Sequence, residues 1–434
     1  MSIVKTKYGD LQGVDLESGN RVYRGIPFAK PPIGPLRFKR PVPPDNWEGV
    51  RDATQFAKIP SQKDFKGFYE KEFFPNGKPE NSEDCLYLNV WAPPVNPEKK
   101  YPVMFWIHGG SYEAGFSHGI EFDGDNIAKK ECILVTTEYR LNVFGFLAHP
   151  ILEADGQKSG NQALYDLILS LQWVQDNIEA FGGDKSNVTV FGQSAGAMLT
   201  QILLVSPMAA NLFHKAILQS GGGYMVAPFL RNTYKDIVKT SEKFFKLMNI
   251  KTYDDLMSKT KEEIRKVYQD FPSLRLTPYI DGEIFPAKLE DCYQSKNYKN
   301  CPVIAGSNES EFDYLSYKYF YHCNLNMVKK QSENGFTPVY LYYMTFHPPG
   351  DDNPGCFHSA ELWYVFSTFD RCWRPFGEKD KNLSEMIVTY WTNFSKTGNP
   401  NSEGLPQWTP YTLQNKKHLK IDFEGTQMED AKWF

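Results

Sequence analysis

Residues 188–204 read Val188-Thr189-Val190-Phe191-Gly192-Gln193-Ser194-Ala195-Gly196-Ala197-Met198-Leu199-Thr200-Gln201-Ile202-Leu203-Leu204. A short β-type run leads into Gly-x-Ser-x-Gly, and a helix pattern follows it. A serine placed there sits on a sharp strand-to-helix turn. Its small flanks let the backbone adopt the strained conformation that exposes the hydroxyl. The same five-residue pattern recurs at Gly115-Phe116-Ser117-His118-Gly119. No strand precedes that copy, its neighbours are bulky, and Ile120-Glu121-Phe122-Asp123-Gly124 is not a helix pattern. Ser194 is therefore the predicted nucleophile and Ser117 a loop serine.

Outward from this turn, strands alternate with helices. Residues 86–91, 103–107, 133–137, 188–191, 216–218, 303–305 and 339–342 read as buried strands. Residues 162–180 place Leu164, Leu167, Ile168, Leu171, Val174 and Ile178 at helical spacing, and Gly182-Gly183 supplies the stop. Residues 384–396 repeat that pattern and end at Gly398. Such alternation predicts an α/β fold, with a mostly parallel mixed sheet covered by helices on both faces. At the N-terminus, residues 2–4, 11–14 and 21–23 predict a small antiparallel meander. Residues 235–270 are polar, mixed in charge and helical in pattern, which reads as a solvated insertion. The expected organisation is one domain over 1–434 with a cap-like helical insertion around 224–290.

Composition narrows the function. With 434 residues, 41% hydrophobic and 23% charged, the chain can bury a large core. Lys+Arg 48 against Asp+Glu 52 gives a net charge of -4, which argues against a nucleic-acid partner. No apolar run approaches a membrane span, and MSIVKTKYGD lacks the apolar stretch of a signal peptide. The 7 cysteines are odd in number and scattered, with no C-x-x-C pair. That argues against a complete disulfide framework and against a zinc site. A reduced, cytoplasmic protein is expected, needing no cofactor and no metal.

A nucleophilic serine needs hydrogen-bond donors for the oxyanion it creates. The strand at 103–107 runs into His108-Gly109-Gly110-Ser111, upstream of the elbow. Glycines after a strand let backbone N–H groups turn toward a ligand, so Gly109, Gly110 and Ala195 are the expected donors. The base must be one of eight histidines, following both nucleophile and acid in the chain. His108, His118 and His149 come too early, and His214 leaves no room for an acid-bearing strand. His418 lies in a Lys-rich tail. Of His322, His347 and His358, only His358 lies in a run of mixed apolar and polar order, Gly355-Cys356-Phe357-His358-Ser359-Ala360-Glu361-Leu362-Trp363. The acid should follow the strand at 302–305, and spacing leaves Glu309, Glu311 and Asp313 open.

These residues resemble the type-B carboxylesterases, the cholinesterase-like branch of the α/β-hydrolases, and in particular the bacterial para-nitrobenzyl-esterase-like members. The likeness rests on Tyr23-Arg24-Gly25-Ile26-Pro27-Phe28-Ala29, Glu83-Asp84-Cys85-Leu86-Tyr87-Leu88-Asn89-Val90, Phe181-Gly182-Gly183-Asp184 with the elbow, and Phe357-His358-Ser359-Ala360-Glu361-Leu362. Tyr390-Trp391-Thr392-Asn393-Phe394 with Gly398-Asn399-Pro400 extends it over nearly the whole chain. The resemblance implies a Ser-Glu-His triad. Its acid context matches Gly306-Ser307-Asn308-Glu309-Ser310-Glu311, so the implied triad is Ser194, Glu311 and His358.

The chain departs from the family pattern at several points. Gln193 stands where the family often has Glu, Ser111 replaces the third glycine of the oxyanion loop, and Phe312 replaces the glycine after the acid. No cysteine precedes Cys85, so the bridge of secreted relatives cannot form. Glu311 and His358 are only 47 residues apart, which implies a helical block missing between about Phe320 and Pro338. A shortened wall predicts a more solvent-open site, unless residues 314–334, with the aromatics Tyr317, Tyr319, Phe320 and Tyr321, fold over the gap.

The expected activity is hydrolysis of a small-molecule carboxylic ester through a serine acyl-enzyme. One alternative is a non-catalytic cholinesterase-like interaction protein, which typically lacks the serine. Another keeps the triad and changes the substrate to amides, thioesters or lipids. Pocket shape sets that choice, and spacing does not. No nucleic-acid or membrane partner is expected, and the oligomeric state is left open.

Overall fold

The computed structural model describes residues 2–64, 66–154, 156–223, 230–311, 316–336 and 338–432, with the side chains of 316–318 outside that set. The predicted positions Phe312, Asp313, Tyr314 and Tyr317, and residues 224–229 of the expected insertion, therefore lie outside the description.

The main sheet contains β1 (Val14–Asp15), β2 (Arg21–Pro27), β3 (Tyr87–Ala92), β4 (Tyr101–Ile107), β5 (Ile133–Thr137), β6 (Gly183–Gln193), β7 (Lys215–Gln219), β8 (Val303–Asn308), β9 (Val339–Met344), β10 (Lys417–Ile421) and β11 (Gln427–Asp430). Across the sheet the order is β11-β10-β9-β8-β7-β6-β4-β5-β3-β2-β1. From β5 through β4, β6, β7, β8 and β9 to β10 every pairing is parallel. The remaining pairs at both margins are antiparallel. This is an α/β-hydrolase fold.

Period-two alternation divides the strands between two cores. Val103, Phe105 and Ile107 of β4 face one core, with Val190 of β6 and Leu218 of β7. Met104 and Trp106 face the other, with Phe191 and Ile217. Helix α1 (Gln162–Asn177) and helix α2 (Ala195–Val205) fill the first side through Leu164, Leu167, Ile202 and Leu203. The second side takes Trp363 from the later helix Glu361–Phe366, and Ile387, Trp391 and Phe394 from Glu378–Thr397. Burial on both faces explains the nearly unbroken apolar strands.

Strand order reverses at β4, because β5 lies on one side of it and β6 on the other. The crevice at such a switch point, beyond the carboxyl ends of the strands, is where open α/β sheets bind ligands. The glycine-containing stretch His108-Gly109-Gly110-Ser111 leaves β4 there, and Ser194 leaves β6.

The small N-terminal sheet is present, with a different third strand from the one expected. Ile3–Lys5 and Asp10–Gln12 do pair antiparallel, but the third strand of that small sheet is Val50–Asp52, added in parallel. Arg21–Pro27 joins the main sheet instead, because Val22 and Tyr23 are both fully buried, on opposite faces. The C-terminal hairpin of β10 and β11 carries so many charges that the sequence hid it. His418 is correspondingly no tail residue: it is buried in β10 and contacts the Tyr321 hydroxyl through Nδ1 at 2.7 Å.

Within 224–290 the described helices are α3 (Tyr234–Leu247), α4 (Tyr253–Ser258) and α5 (Lys261–Asp270). Each opens on a threonine capping box, with Thr233, Thr252 and Thr260 bonded reciprocally to an acidic residue three positions on. No described helix is long and apolar enough to cross a membrane.

Candidate active site

Ser194 has φ 56° and ψ −124°, a conformation between β6 and α2 that non-glycine residues rarely adopt. Tight packing holds it there. A Cβ on Gly196 would sit 2.0 Å from the Ile107 carbonyl oxygen, and one on Gly192 would sit 2.5 Å from the Gly196 carbonyl carbon. The turn can form only where both positions lack a side chain. Ser194 N–H donates to Gln219 O at 2.8 Å, and its carbonyl accepts from Met198 at 3.0 Å, which anchors the residue on both sides.

His358 Nδ1 is in hydrogen-bond contact with Glu311 Oε2. The second oxygen, Oε1, accepts from Asn308 N–H at 2.9 Å. With Nδ1–H donated to a carboxylate, Nε2 is left as the acceptor. Gln193 Nε2 lies 3.2 Å from it. The loops bearing Glu311 and His358 are joined as well. Ser310 N–H donates to Cys356 O at 3.0 Å, and Asn308 Nδ2 donates to Phe357 O at 2.9 Å and to Glu361 Oε2 at 2.5 Å. Burial, followed by the nearby charge of Glu311, pushes the Glu361 carboxyl up to about 7. Glu309 points elsewhere, toward the exposed His347 at 3.3 Å.

Ser194, His358, Gly109 and Gly110 line one cavity of about 120 Å³. A smaller one of about 50 Å³ is also lined by Ser194, together with Ser111, Arg275 and Phe320. Among the described residues no acceptor is present for the amide N–H of Gly109 or of Gly110. Ala195 opens α2, so its N–H has no partner within the helix. Gly110 has φ +107°, and a Cβ there would fall 1.9 Å from Ala114 O.

The glycine loop rests on a buried polar cluster that no local pattern announces. His108 stacks on Tyr139 with ring centroids 4.4 Å apart, and the Tyr139 hydroxyl donates to His108 O at 2.8 Å. Glu138 Oε2 lies 3.6 Å from His108 Nε2, and its Oε1 lies 3.4 Å from His118 Nδ1. Burial alone would push the Glu138 carboxyl up. The two imidazoles outweigh it and hold the group at about 2. Gln62 clamps the neighbouring turn, donating to Gly115 O at 2.9 Å and accepting from Gly115 N–H at 3.1 Å.

Ser194 is 7% exposed, Glu311 6% and His358 3%. Helix α6 (Ser316–Glu333) lies in the short acid-to-histidine segment. Its Phe320 ring stacks on the His358 ring with centroids 5.9 Å apart, which covers the imidazole from one side. All seven cysteines are free, Cys85 among them. Among the described residues no group of three or more His, Cys, Asp or Glu side chains is placed to hold a metal ion.

A strained serine at the switch point of a mixed α/β sheet, sharing a cavity with a buried His–Glu pair, marks a serine hydrolase of the α/β-hydrolase class. Comparison with known proteins takes this one step further. The Carboxylesterase family profile matches residues 1–322 and 313–432. Carboxylesterase 5A of Canis lupus familiaris is 34% identical over 92% of this chain and 81% of its own length. The para-nitrobenzyl esterase of Bacillus subtilis (strain 168) is 32% identical over 99% of this chain and 96% of its own length. A solved PNB esterase superposes with a TM-score of 0.88 at 30% identity, covering 99% of this chain and 97% of that one. A Geobacillus stearothermophilus carboxylesterase gives 0.86 at 28% identity, covering 99% and 98%. The chain belongs to the carboxylesterase family, and it is a serine carboxylic-ester hydrolase.

Proposed function

We propose that Ser194, His358 and Glu311 act as a catalytic triad, with the amides of Gly109, Gly110 and Ala195 as the oxyanion hole. Ser194 Oγ attacks the ester carbonyl while His358 Nε2 takes its proton. Glu311 fixes the imidazole tautomer and stabilises the cation that forms. The three amides receive the oxyanion, and the alcohol leaves with the proton that His358 returns. Water then attacks the acyl-enzyme with His358 as base, which frees the acid and restores Ser194. No step calls on a metal or a cofactor, and the substrate is a small-molecule ester.

The observation that carries this reading is the buried Glu311–His358 contact opening onto the cavity that Ser194 also lines. The unmatched N–H groups of Gly109 and Gly110 support the oxyanion assignment. We take the chain as one domain in which the insertion around 224–290 flanks the site. Arg275 and Thr277 support that reading, since they line the small cavity beside Ser194. A chain-length series of p-nitrophenyl esters, with Ser194→Ala as the blank, tests it. Short and medium acyl chains should turn over in the wild type, and the blank should fall to background. Equal turnover by the blank would remove Ser194 from the chemistry.

A further inference from the structure

Glu121 lines the same cavity as Ser194 and His358, on a wall built with Phe73, Phe74, Phe116 and Phe122. It is only 6% exposed, and its Oε2 has no hydrogen-bond partner. The carboxyl folds over Gly119, where a Cβ would lie 2.4 Å from that oxygen, so the chain has left room for it. Nearby Glu72 shows how a buried carboxylate is ordinarily satisfied. It accepts from Arg374 Nε at 2.8 Å, Trp363 Nε1 at 2.9 Å and Trp373 Nε1 at 3.0 Å. Among the described residues Glu121 has no cation within ion-pair distance. Burial pushes its carboxyl up to about 8, and the charge of Glu72 adds to that. A carboxyl with one oxygen unmatched in an apolar wall is costly, and a leucine would fill the space without that cost.

We propose that Glu121 is a specificity-determining residue that receives a primary ammonium group carried by the ester substrate. An ammonium brings three N–H donors to an oxygen that has none, and a positive charge in place of the carboxyl proton. The aromatic faces around it favour a cation as well. This inference rests on Ser194 being the nucleophile.

The test compares esters differing only at the end of one arm. On the alcohol side these are acetates of 4-(aminomethyl)benzyl, 4-(hydroxymethyl)benzyl and 4-methylbenzyl alcohol. On the acyl side they are ethyl 6-aminohexanoate, ethyl 6-hydroxyhexanoate and ethyl heptanoate. In at least one series kcat/KM for the ammonium ester should exceed that for its methyl-ended partner by about tenfold or more, mostly through KM. That ratio should collapse toward one in Glu121→Gln, which keeps the shape, and in Glu121→Leu. A ratio near one in both series of the wild type would overturn the proposal, as would a ratio retained by Glu121→Gln. A preference for the hydroxyl ester over the ammonium ester would overturn it too, assigning a protonated carboxyl to a neutral partner. Wild-type turnover of the methyl-ended esters, blanked with Ser194→Ala, reads the esterase assignment separately from the ratio.

Discussion

Residues 115–119 and 192–196 share the pattern Gly-x-Ser-x-Gly and lie on opposite sides of the same glycine loop. In the second copy the serine is strained, joins a strand to a helix, and opens onto two cavities. In the first the serine is fully buried and spends its hydrogen bonds inward. Ser117 N–H and Oγ donate to Glu138 Oε1 at 2.8 and 2.7 Å, and Oγ accepts from Asn89 Nδ2 at 3.1 Å. The glycines differ in purpose as well. Gly192 and Gly196 let a helix start against the end of β4, whereas Gly115 packs against His108 and Gly109. The motif is thus a set of steric permissions. The flanking elements decide whether the serine between the glycines opens onto a cavity or turns its hydroxyl into the core.

The largest contrast is expected from the two serines themselves. Ser194→Ala should lower kcat on p-nitrophenyl acetate by about 10⁴-fold or more. Ser117→Ala should lower it by less than about tenfold, while reducing the thermal midpoint because Glu138 loses a buried donor. Comparable losses in both would erase the distinction between catalytic and bracing serines.

The acids on either side of Ser310 repeat the contrast on a smaller scale. Glu311→Gln removes the carboxylate that receives His358 and should cost about 10³- to 10⁴-fold in kcat. Glu309→Gln alters the contact with the exposed His347 and should cost little. A reversal would place the acid two residues earlier.

Glu138→Gln sharpens the bracing role. The loop carrying Gly109 and Gly110 would lose its charged support, and kcat should fall about 10- to 100-fold through misplaced donors. The Glu138 carboxyl lies at about 2, below its ordinary 4.5, so its stabilising contribution is fully present above 4.5 and is lost as pH falls toward 2. Thermal melts should show the wild type ahead of the variant at neutral pH, with the gap closing over that acid range.

Glu121 has the opposite sign and the smallest expected effect. Its carboxyl is raised from 4.5 to about 8, so the folded state is penalised progressively as pH rises between those values. Glu121→Gln should melt higher than the wild type, by a margin that widens from pH 4.5 to about 8 and then levels off.

Much of this was legible from local pattern. The strands and the two long helices follow apolar spacing, and Ser194 was separable from Ser117 because strand and helix signals flank only one of them. His358 emerged by chain order and composition. The acid did not, because Glu309 and Glu311 lie in the same short loop and only tertiary contacts show that one faces His347 and the other His358. The family resemblance, not spacing, selected Glu311. Long-range features were silent. Gln62 reaches Gly115 across 53 residues, and nothing around Glu121 or Glu138 marks either as buried. The β10–β11 hairpin was missed because a strand near the sheet margin carries lysines and acids that read as a solvated tail.

Labelling with a fluorophosphonate, followed by peptide mapping, tests the central claim most directly. The reagent needs a nucleophilic serine, a base and an oxyanion site together, so it reports the assembled machinery. A single adduct is expected on the peptide containing Ser194, with none on the peptide containing Ser117 and none anywhere in Ser194→Ala. An adduct on Ser117, or an esterase-active protein that takes no label at Ser194, would contradict the account.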